Sequence, residues 1–360
     1  MLNIDNLISH ASHNRWSVER AHAWQASQPW LVGANYLPSY AINQLEMWQE
    51  QTFNPAIIDR ELAWAADIGM NSMRVFLHDL LWMQDAEAFL GRIEWFLQIA
   101  AKRNIGVMLV FFDSCWYPFP YLGPQREPEP GVHNSFWLQS PGLPVLQNPA
   151  RFALLEPYVK GVIHRFKDDS RVQVWDLWNE PDNGNAMSYG PRDLGDLKGK
   201  VVLPHLAEVF SWARSVGASQ PLTSGVWVGD WDNDEHLSPM NRLQLNVSDV
   251  VSFHRYNPLD ITMKAVDPLK RFDRPILCTE YMARGVGSTF EAILPYFKEN
   301  GIGAYNWGLV QGRSQTNMPW DSWQSPYQTE PPLWFHDVFR TDGTPYRAAE
   351  VEFIRRVTGG

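Results

Sequence analysis

Short runs of near-continuous apolar residues alternate with longer stretches whose apolar positions recur at helical spacing, and the alternation repeats about eight times. The runs are Leu31 to Tyr36, Ser72 to Leu77, Gly106 to Phe112, Val172 to Trp178, Leu222 to Trp227, Val250 to His254, Pro275 to Glu280 and Gly303 to Trp307. They show little polar alternation, as strands of a parallel sheet covered on both faces must. Between them, Pro55 to Ile68, Ala86 to Lys102 and Pro149 to Phe166 read as helices, the first with Asn54-Pro55 as cap and first turn and Gly69 as stop. The βαβα order predicts an α/β fold. Eight units predict a (β/α)8 TIM barrel rather than an open doubly wound sheet, because Gly33-Ala34-Asn35-Tyr36 stands where a glycine-rich phosphate loop would follow the first strand. Residues 31–360 are expected to form a single barrel domain with long βα loops. Trp16 to Gln25 has a helical pattern, and residues 1–30 are read as a helical extension packed on the barrel.

Two loops stand out. Asp113 to Asn148 follows the third strand and is rich in Pro and aromatics, as in Cys115-Trp116-Tyr117-Pro118-Phe119-Pro120-Tyr121; Gln311 to Trp334 follows the last strand. Loops after strands emerge at the C-terminal face, where barrels of this kind carry their sites, so both are expected to wall the site.

Composition narrows the partners. Thirty basic against 40 acidic residues give a net charge of −10, which argues against a nucleic-acid or anionic-membrane partner. Eighteen Trp, 12 Tyr and 18 Phe make the chain unusually aromatic, and flat apolar rings suit the C–H faces of sugars. No stretch is long and apolar enough to span a bilayer and no leader pattern opens the chain, so a cytoplasmic location is expected, or a secreted one if a leader preceded Met1. Cys115 and Cys278 are the only cysteines, too few for a disulfide scaffold, and Cys278 reads as a small core residue. A homo-oligomer is left open.

The chemistry lies at two strand ends. Trp178-Asn179-Glu180-Pro181 puts a carboxylate directly behind one apolar strand, and Glu280 ends another. Breaking an acetal between sugars needs one protonated carboxyl to donate to the leaving oxygen and one ionised carboxylate to attack or stabilise the oxocarbenium-like carbon. Two strand-end glutamates therefore point to a glycosidase. Arg74, inside an apolar strand, needs a buried partner; near Glu280 it would hold that carboxylate's pKa down, with Tyr256 as a second donor. Glu180 is expected in less polar surroundings, protonated at rest. Asp176 reads as an inward-pointing structural group. His78, Asp113, Trp116, Asn35 and Trp320 are candidates to line the sugar pocket. The first strand has no His-x-His pair and no strand interior holds a lysine, so neither metal nor Schiff-base chemistry is expected, and no cofactor.

On these residues the chain resembles the retaining glycoside hydrolases of clan A, most closely family 5, the cellulase and mannanase family. The resemblance spans about Leu31 to Trp307. It implies that Glu180 is the acid/base and Glu280 the nucleophile, and that Arg74 hydrogen-bonds the nucleophile. It further implies that Asn179 contacts the sugar 2-hydroxyl, that His254 and Tyr256 form the His-x-Tyr of the sixth strand, and that Trp307 floors the subsite of the scissile sugar. One position departs: Phe111-Phe112-Asp113 stands where family 5 usually has a histidine. A retaining double displacement implies carboxyls about 5–5.5 Å apart, against roughly 6.5–9.5 Å for inversion. The expected substrate is a β-linked oligosaccharide or small glycoside attacked from its end; endo action on a glucan or mannan, transglycosylation, and a catalytically inactive carbohydrate-binding barrel are the alternatives.

Overall fold

The computed structural model describes residues 3–360. Eight parallel strands appear where the apolar runs predict them: β1 Val32–Asn35, β2 Ser72–Phe76, β3 Gly106–Asp113, β4 Val172–Asn179, β5 Leu222–Thr223, β6 Val251–His254, β7 Ile276–Tyr281 and β8 Gly303–Trp307. They pair in the order β5-β4-β3-β2-β1-β8-β7-β6. The remaining seam is closed by one parallel bridge, Val226 to Phe253, in which Val226 N–H donates to Ser252 O (3.0 Å) and His254 N–H to Val226 O (2.9 Å). The fold is a (β/α)8 TIM barrel.

β5 is shorter than the expected Leu222 to Trp227 because side chains take its backbone polar groups. Ser224 N–H donates to Ser248 Oγ (3.3 Å), and Gly225 O accepts Gln244 Nε2 (2.6 Å), so the ladder lapses until Val226. The barrel interior is layered. Leu31, Met108, Val174, Val250, Leu277 and Tyr305 fill its base, with Trp24 packed beneath. Above them Ser72 Oγ meets Tyr305 OH (2.8 Å) and Gln173 Oε1 (2.5 Å), and above that lies Arg74 with its acidic partners. Gly33 admits β1 against β2, since a Cβ there would fall 1.6 Å from Ser72 O.

Two helices differ from expectation for identifiable reasons. The one predicted from Ala86 begins at Asp79 and runs to Ala101, but it breaks at Asp85 (φ −161°, ψ 96°), whose carboxylate caps Ala88 N–H (3.0 Å). Pro149 to Phe166 divides into Pro149–Phe152, a turn at Ala153–Leu155 and Glu156–Phe166. Pro157, lacking an N–H and clashing with a carbonyl one turn back, prevents a continuous helix.

The N-terminal extension carries helices Ile4–Ala11 and Val18–Ala26, the first unanticipated; Met1 and Leu2 lie outside the described residues. Arg214 secures it. The guanidinium donates to Ala11 O (3.0 Å), Asn14 O (3.4 Å) and Val247 O, and pairs with Asp249 (2.9 Å), whose oxygens also accept Trp16 N–H (2.9 Å) and Leu222 N–H (2.8 Å). Arg214→Ala leaves Asp249 buried without its cation, and breaking such a pair typically costs about 3–5 kcal/mol. Urea denaturation is expected to show a loss of that order, and a change within about 0.5 kcal/mol would mean the clamp is dispensable.

Candidate active site

Glutamates and their partners gather at the C-terminal ends of the strands. Arg74 comes from β2, Asp113 from β3, Asp176 and Asn179 from β4 with Glu180 just beyond, His254 from β6, Glu280 from β7 and Trp307 from β8. At the centre is the Arg74 side chain, 1% exposed. Nε and Nη2 donate to Asp176 Oδ2 (3.0 and 2.8 Å), Nη2 also to Asn179 Oδ1 (2.8 Å), and Nη1 to Asn35 Oδ1 (2.7 Å) and Glu280 Oε1 (2.9 Å).

Glu280 reaches the mouth through irregular pairing. The registers of β6 with β7 and of β7 with β8 both shift near the strand ends, so that His254 lies opposite Glu280 rather than Thr279. Its Oε2 accepts Tyr256 OH (2.7 Å). Glu180 sits in the left-handed region (φ 42°), a strained conformation for a residue with a side chain, in a turn closed by Asn183 N–H to Glu180 O (2.9 Å). Its Oε1 lies 2.8 Å from His254 Nδ1; its Oε2 accepts Asn183 Nδ2 (2.6 Å) and the Cys115 thiol (3.2 Å). His254 Nδ1 is also 3.4 Å from Glu280 Oε2, and one oxygen of each glutamate lies with that nitrogen inside a 4.8 Å circle.

Burial pushes both glutamate pKa values above the ordinary carboxylate range. The expectation that Arg74 holds Glu280 low is therefore corrected. Desolvation outweighs the His254, Arg74 and Tyr256 effects that favour the anion, and the Arg74 charge is already shared with Asp176. Burial pushes His254 down to about 4 and the Tyr256 hydroxyl well up, so near neutral pH the ring is uncharged and the phenol keeps its proton to donate.

The other candidates divide in two. Trp116, Trp307 and Trp320 line a cleft of about 460 Å³ that also holds Asn179, Glu180, Tyr256 and Glu280, within the usual size range of small-ligand sites. Trp307 stands edge-on to Phe76 and Trp137, Trp116 stacks on Trp323 (centroids 5.4 Å apart), and Trp320 stands edge-on to Tyr256 (5.1 Å). Asn35 and Asp113 lie behind this surface. Asn35 donates to Thr279 O (2.8 Å) while accepting from Arg74, and Asp113 accepts from Asn179 Nδ2 (3.0 Å), Trp137 Nε1 (2.7 Å) and Cys115 N–H (2.8 Å). Burial raises Asp113 to about 6. Asp113 thus occupies the departing position of the third strand as an anchor for Asn179. His78 does not reach the cleft: it is buried, and its Nδ1 caps the next helix by accepting Leu80 N–H (3.2 Å).

Sequence reasoning did not anticipate Cys115 and Asn183 on Glu180, nor Trp227 and Asp182 in the cleft wall. Only Asn183 left a signal, since three residues past a strand-end glutamate it can fold back across a turn. Glu180, His254 and Glu280 could together hold a metal ion, as could the exposed Asp230, Asp232 and His236. A dication at the first group would compete with the Arg74 guanidinium 2.9 Å from Glu280.

Residues 40–318 match the family described as Cellulase (glycosyl hydrolase family 5). The chain belongs to glycosyl hydrolase family 5. No curated protein matches it significantly in sequence. Among solved structures it is similar to an exo-β-1,4-mannosidase from Opitutaceae bacterium strain TAV5 (TM-score 0.59, 20% identity), over 91% of this chain and 60% of the mannosidase. It therefore spans less than two thirds of that protein. A β-1,4-mannanase from the sea hare Aplysia kurodai aligns with TM-score 0.53 and 19% identity over 77% of this chain and 87% of its own. A β-1,4-D-mannanase from Cryptopygus antarcticus aligns with TM-score 0.58 and 12% identity over 92% and 90%. At these identities the likeness is one of fold.

His254 gives a direct check on the electrostatics of this family 5 site. Nitrogen NMR at pH 5.5 is expected to show a neutral imidazole, because its pKa near 4 lies well below the ordinary value of 6.5. An imidazolium signal at that pH would show that the neighbouring carboxylates outweigh burial.

Proposed function

We propose that this family 5 hydrolase is a retaining β-glycosidase in which Glu280 is the nucleophile and Glu180 the acid/base, acting from chain ends on β-linked oligosaccharides or small glycosides. The observation that carries it is that one oxygen of each carboxylate comes within 4.8 Å of the other, with unlike donors on each. Nearest oxygens this close suit direct attack on the anomeric carbon more than a water held between carboxyl groups roughly 6.5–9.5 Å apart. Glu280 receives a guanidinium and a phenol, donors that stabilise a carboxylate and aim its oxygens. Glu180 receives only an amide and a thiol beside a neutral imidazole, so it more readily holds a proton for the leaving oxygen. Once Glu280 is esterified its charge disappears, the Glu180 pKa falls, and Glu180 takes the proton of the water that releases the sugar.

Loop packing supports attack at chain ends. The loop after β3 is tied to the segment after β8 by Asn134 N–H to Ser314 O (3.1 Å), Gly131 N–H to Gln315 Oε1 (2.7 Å), His133 N–H to Ser322 Oγ (3.0 Å) and the Trp116–Trp323 stack. Since β1 and β2 lie between β8 and β3, these contacts join the two loops across the side of the barrel next to Trp307. A wall on that side favours entry of a chain by its terminus. The mannosidase and mannanases that share the fold make β-mannosides the first series to assay, ahead of β-glucosides.

Glu280→Gly is expected to lose turnover of aryl β-glycosides and to recover it with azide, giving the glycosyl azide of inverted configuration. Glu180→Ala is expected to lose about 10²–10⁴-fold on sugars with poor leaving groups and far less on dinitrophenyl glycosides. Equal losses on both would remove the acid role from Glu180. Chromatography separates the modes: monosaccharide release from reduced oligosaccharides supports attack at the end, and mid-chain products support an endo-acting enzyme.

A further inference from the structure

One oxygen of Glu180 is already occupied by the protein, which restricts where its proton can sit. Oε2 accepts from Asn183 Nδ2 (2.6 Å) and from the Cys115 thiol (3.2 Å). A carboxyl oxygen offers about two acceptor positions, so Oε2 is filled. Among the described residues Oε1 meets only His254 Nδ1 (2.8 Å), a nitrogen that is itself 3.4 Å from Glu280 Oε2. The unfilled oxygen is therefore the one on the nucleophile's side. The direction of the thiol is set by the other contacts of the sulfur. Asn179 Nδ2 and Asn183 Nδ2 both approach Sγ (3.5 Å each), and as amide N–H groups they can only donate, which turns the S–H toward Glu180. The Cys115 backbone is tied in turn by its N–H to Asp113 Oδ1 (2.8 Å), the oxygen that also accepts Asn179 Nδ2. Cys115 is 7% exposed, lines the cleft and enters from the loop after β3, whereas Asn183 belongs to the same turn as Glu180. Without Cys115, Oε2 would be held by its own turn alone.

We propose that Cys115 is a positioning residue for the acid/base: together with Asn183 it reserves Glu180 Oε2, so that the proton given to the glycosidic oxygen travels on Oε1. The assignment rests on the glycosidase reading above. As the bond from the anomeric carbon to the glycosidic oxygen breaks, its electron pair stays on that oxygen and the proton passes to it from Oε1. In the second half Oε1 takes a proton from the water that attacks the anomeric carbon and displaces Glu280. The thiol exchanges no proton with substrate, and burial beside Glu180 and Asp113 keeps it protonated by pushing its pKa well up. An S–H is a weaker donor than an O–H, so it orients the carboxyl while stabilising the anion little, which suits a group that must begin protonated. The other ionisable groups around Glu180 are Arg74 from β2, Asp113 from β3, Asp182 beyond β4, His254 and Tyr256 at the end of β6, and Glu280 from β7; substitution of the Cys115 side chain alters none of them.

In Cys115→Ala the carboxylate loses a donor, so the Glu180 pKa rises and the alkaline limb of kcat/KM is expected to move up by roughly half a pH unit, the size of a weak hydrogen bond to an anion. The ratio of kcat/KM for a β-linked disaccharide to that for the dinitrophenyl glycoside, which needs little proton donation, is expected to fall several-fold. Cys115→Ser, which keeps a donor, is expected to restore the ratio and to hold the limb at or below its wild-type position. The infrared S–H stretch, isolated as wild type minus Cys115→Ser so that Cys278 cancels, is expected to shift as Glu180 ionises and to lose that pH dependence in Glu180→Gln. A band indifferent to pH overturns the proposal even where Cys115→Ala does not fold. An unmoved limb in an active Cys115→Ala removes the role of Cys115 and leaves the glycosidase reading standing. If wild type hydrolyses neither substrate in the manno or gluco series, the glycosidase reading fails and the positioning role with it.

Discussion

Everything at the mouth of the barrel depends on how one buried guanidinium is satisfied. An arginine carries five N–H donors and keeps its charge in any protein interior, so burying Arg74 demands an acceptor for each donor. Five bonds are present: one from Nε to Asp176, two from Nη1 to Asn35 and Glu280, and two from Nη2 to Asp176 and Asn179. These acceptors come from β1, β4 and β7, so a residue of β2 ties together strands from around the barrel. The planar fork fixes the direction of each bond, and the Glu280 carboxylate is aimed by the same network that holds Asn179 beside Glu180. Lysine, with three donors on a flexible stem, cannot reproduce it.

The network also governs charge. Asp176 neutralises much of what Arg74 would otherwise offer to Glu280, and both glutamates end above the usual carboxylate range because burial dominates. Asp113, held near 6 by burial, anchors Asn179 from behind. The loops complete the enclosure. The Lys198 and Asp193 side chains, both fully buried and 2.8 Å apart, join Gln139 (2.7 Å from the ammonium) and so link the loop after β4 to the loop after β3. Three loops thus set the depth and dryness of a cleft whose chemistry is fixed by strands.

The strands were legible because a strand buried on both faces must be apolar throughout, and charged residues within or at the ends of them, such as Arg74, Glu180 and Glu280, stand out against that background. The exceptions have tertiary causes. β5 ended early because Ser248 and Gln244, distant in sequence, capture its backbone, and no local pattern announces that. His78 follows an apolar strand just as Glu180 does, but there the chain turns at once into a helix and the ring caps it. Cys115, Asp182 and Trp227 lie in loops or just past a strand, where side-chain direction is decided by packing between segments. Periodicity carries information about faces, and these residues belong to no face.

The division of labour proposed for the two glutamates rests on their neighbours more than on their own burial, which is alike. A carboxylate bonded to a cation and a phenol gains more from being ionised than one bonded to an amide and a thiol, so in the proposed mechanism a proton shared by the pair would rest on Glu180. His254 strengthens the asymmetry: its Nδ1 is 2.8 Å from Glu180 and 3.4 Å from Glu280, and the neutral ring adds no cation to stabilise a second negative charge. Two like charges this close cannot both form cheaply. Under the proposed double displacement, a sugar attached to Glu280 would remove that constraint and let Glu180 ionise. On the proposed mechanism, the alternation between acid and base would follow from the spacing of the pair without a moving part.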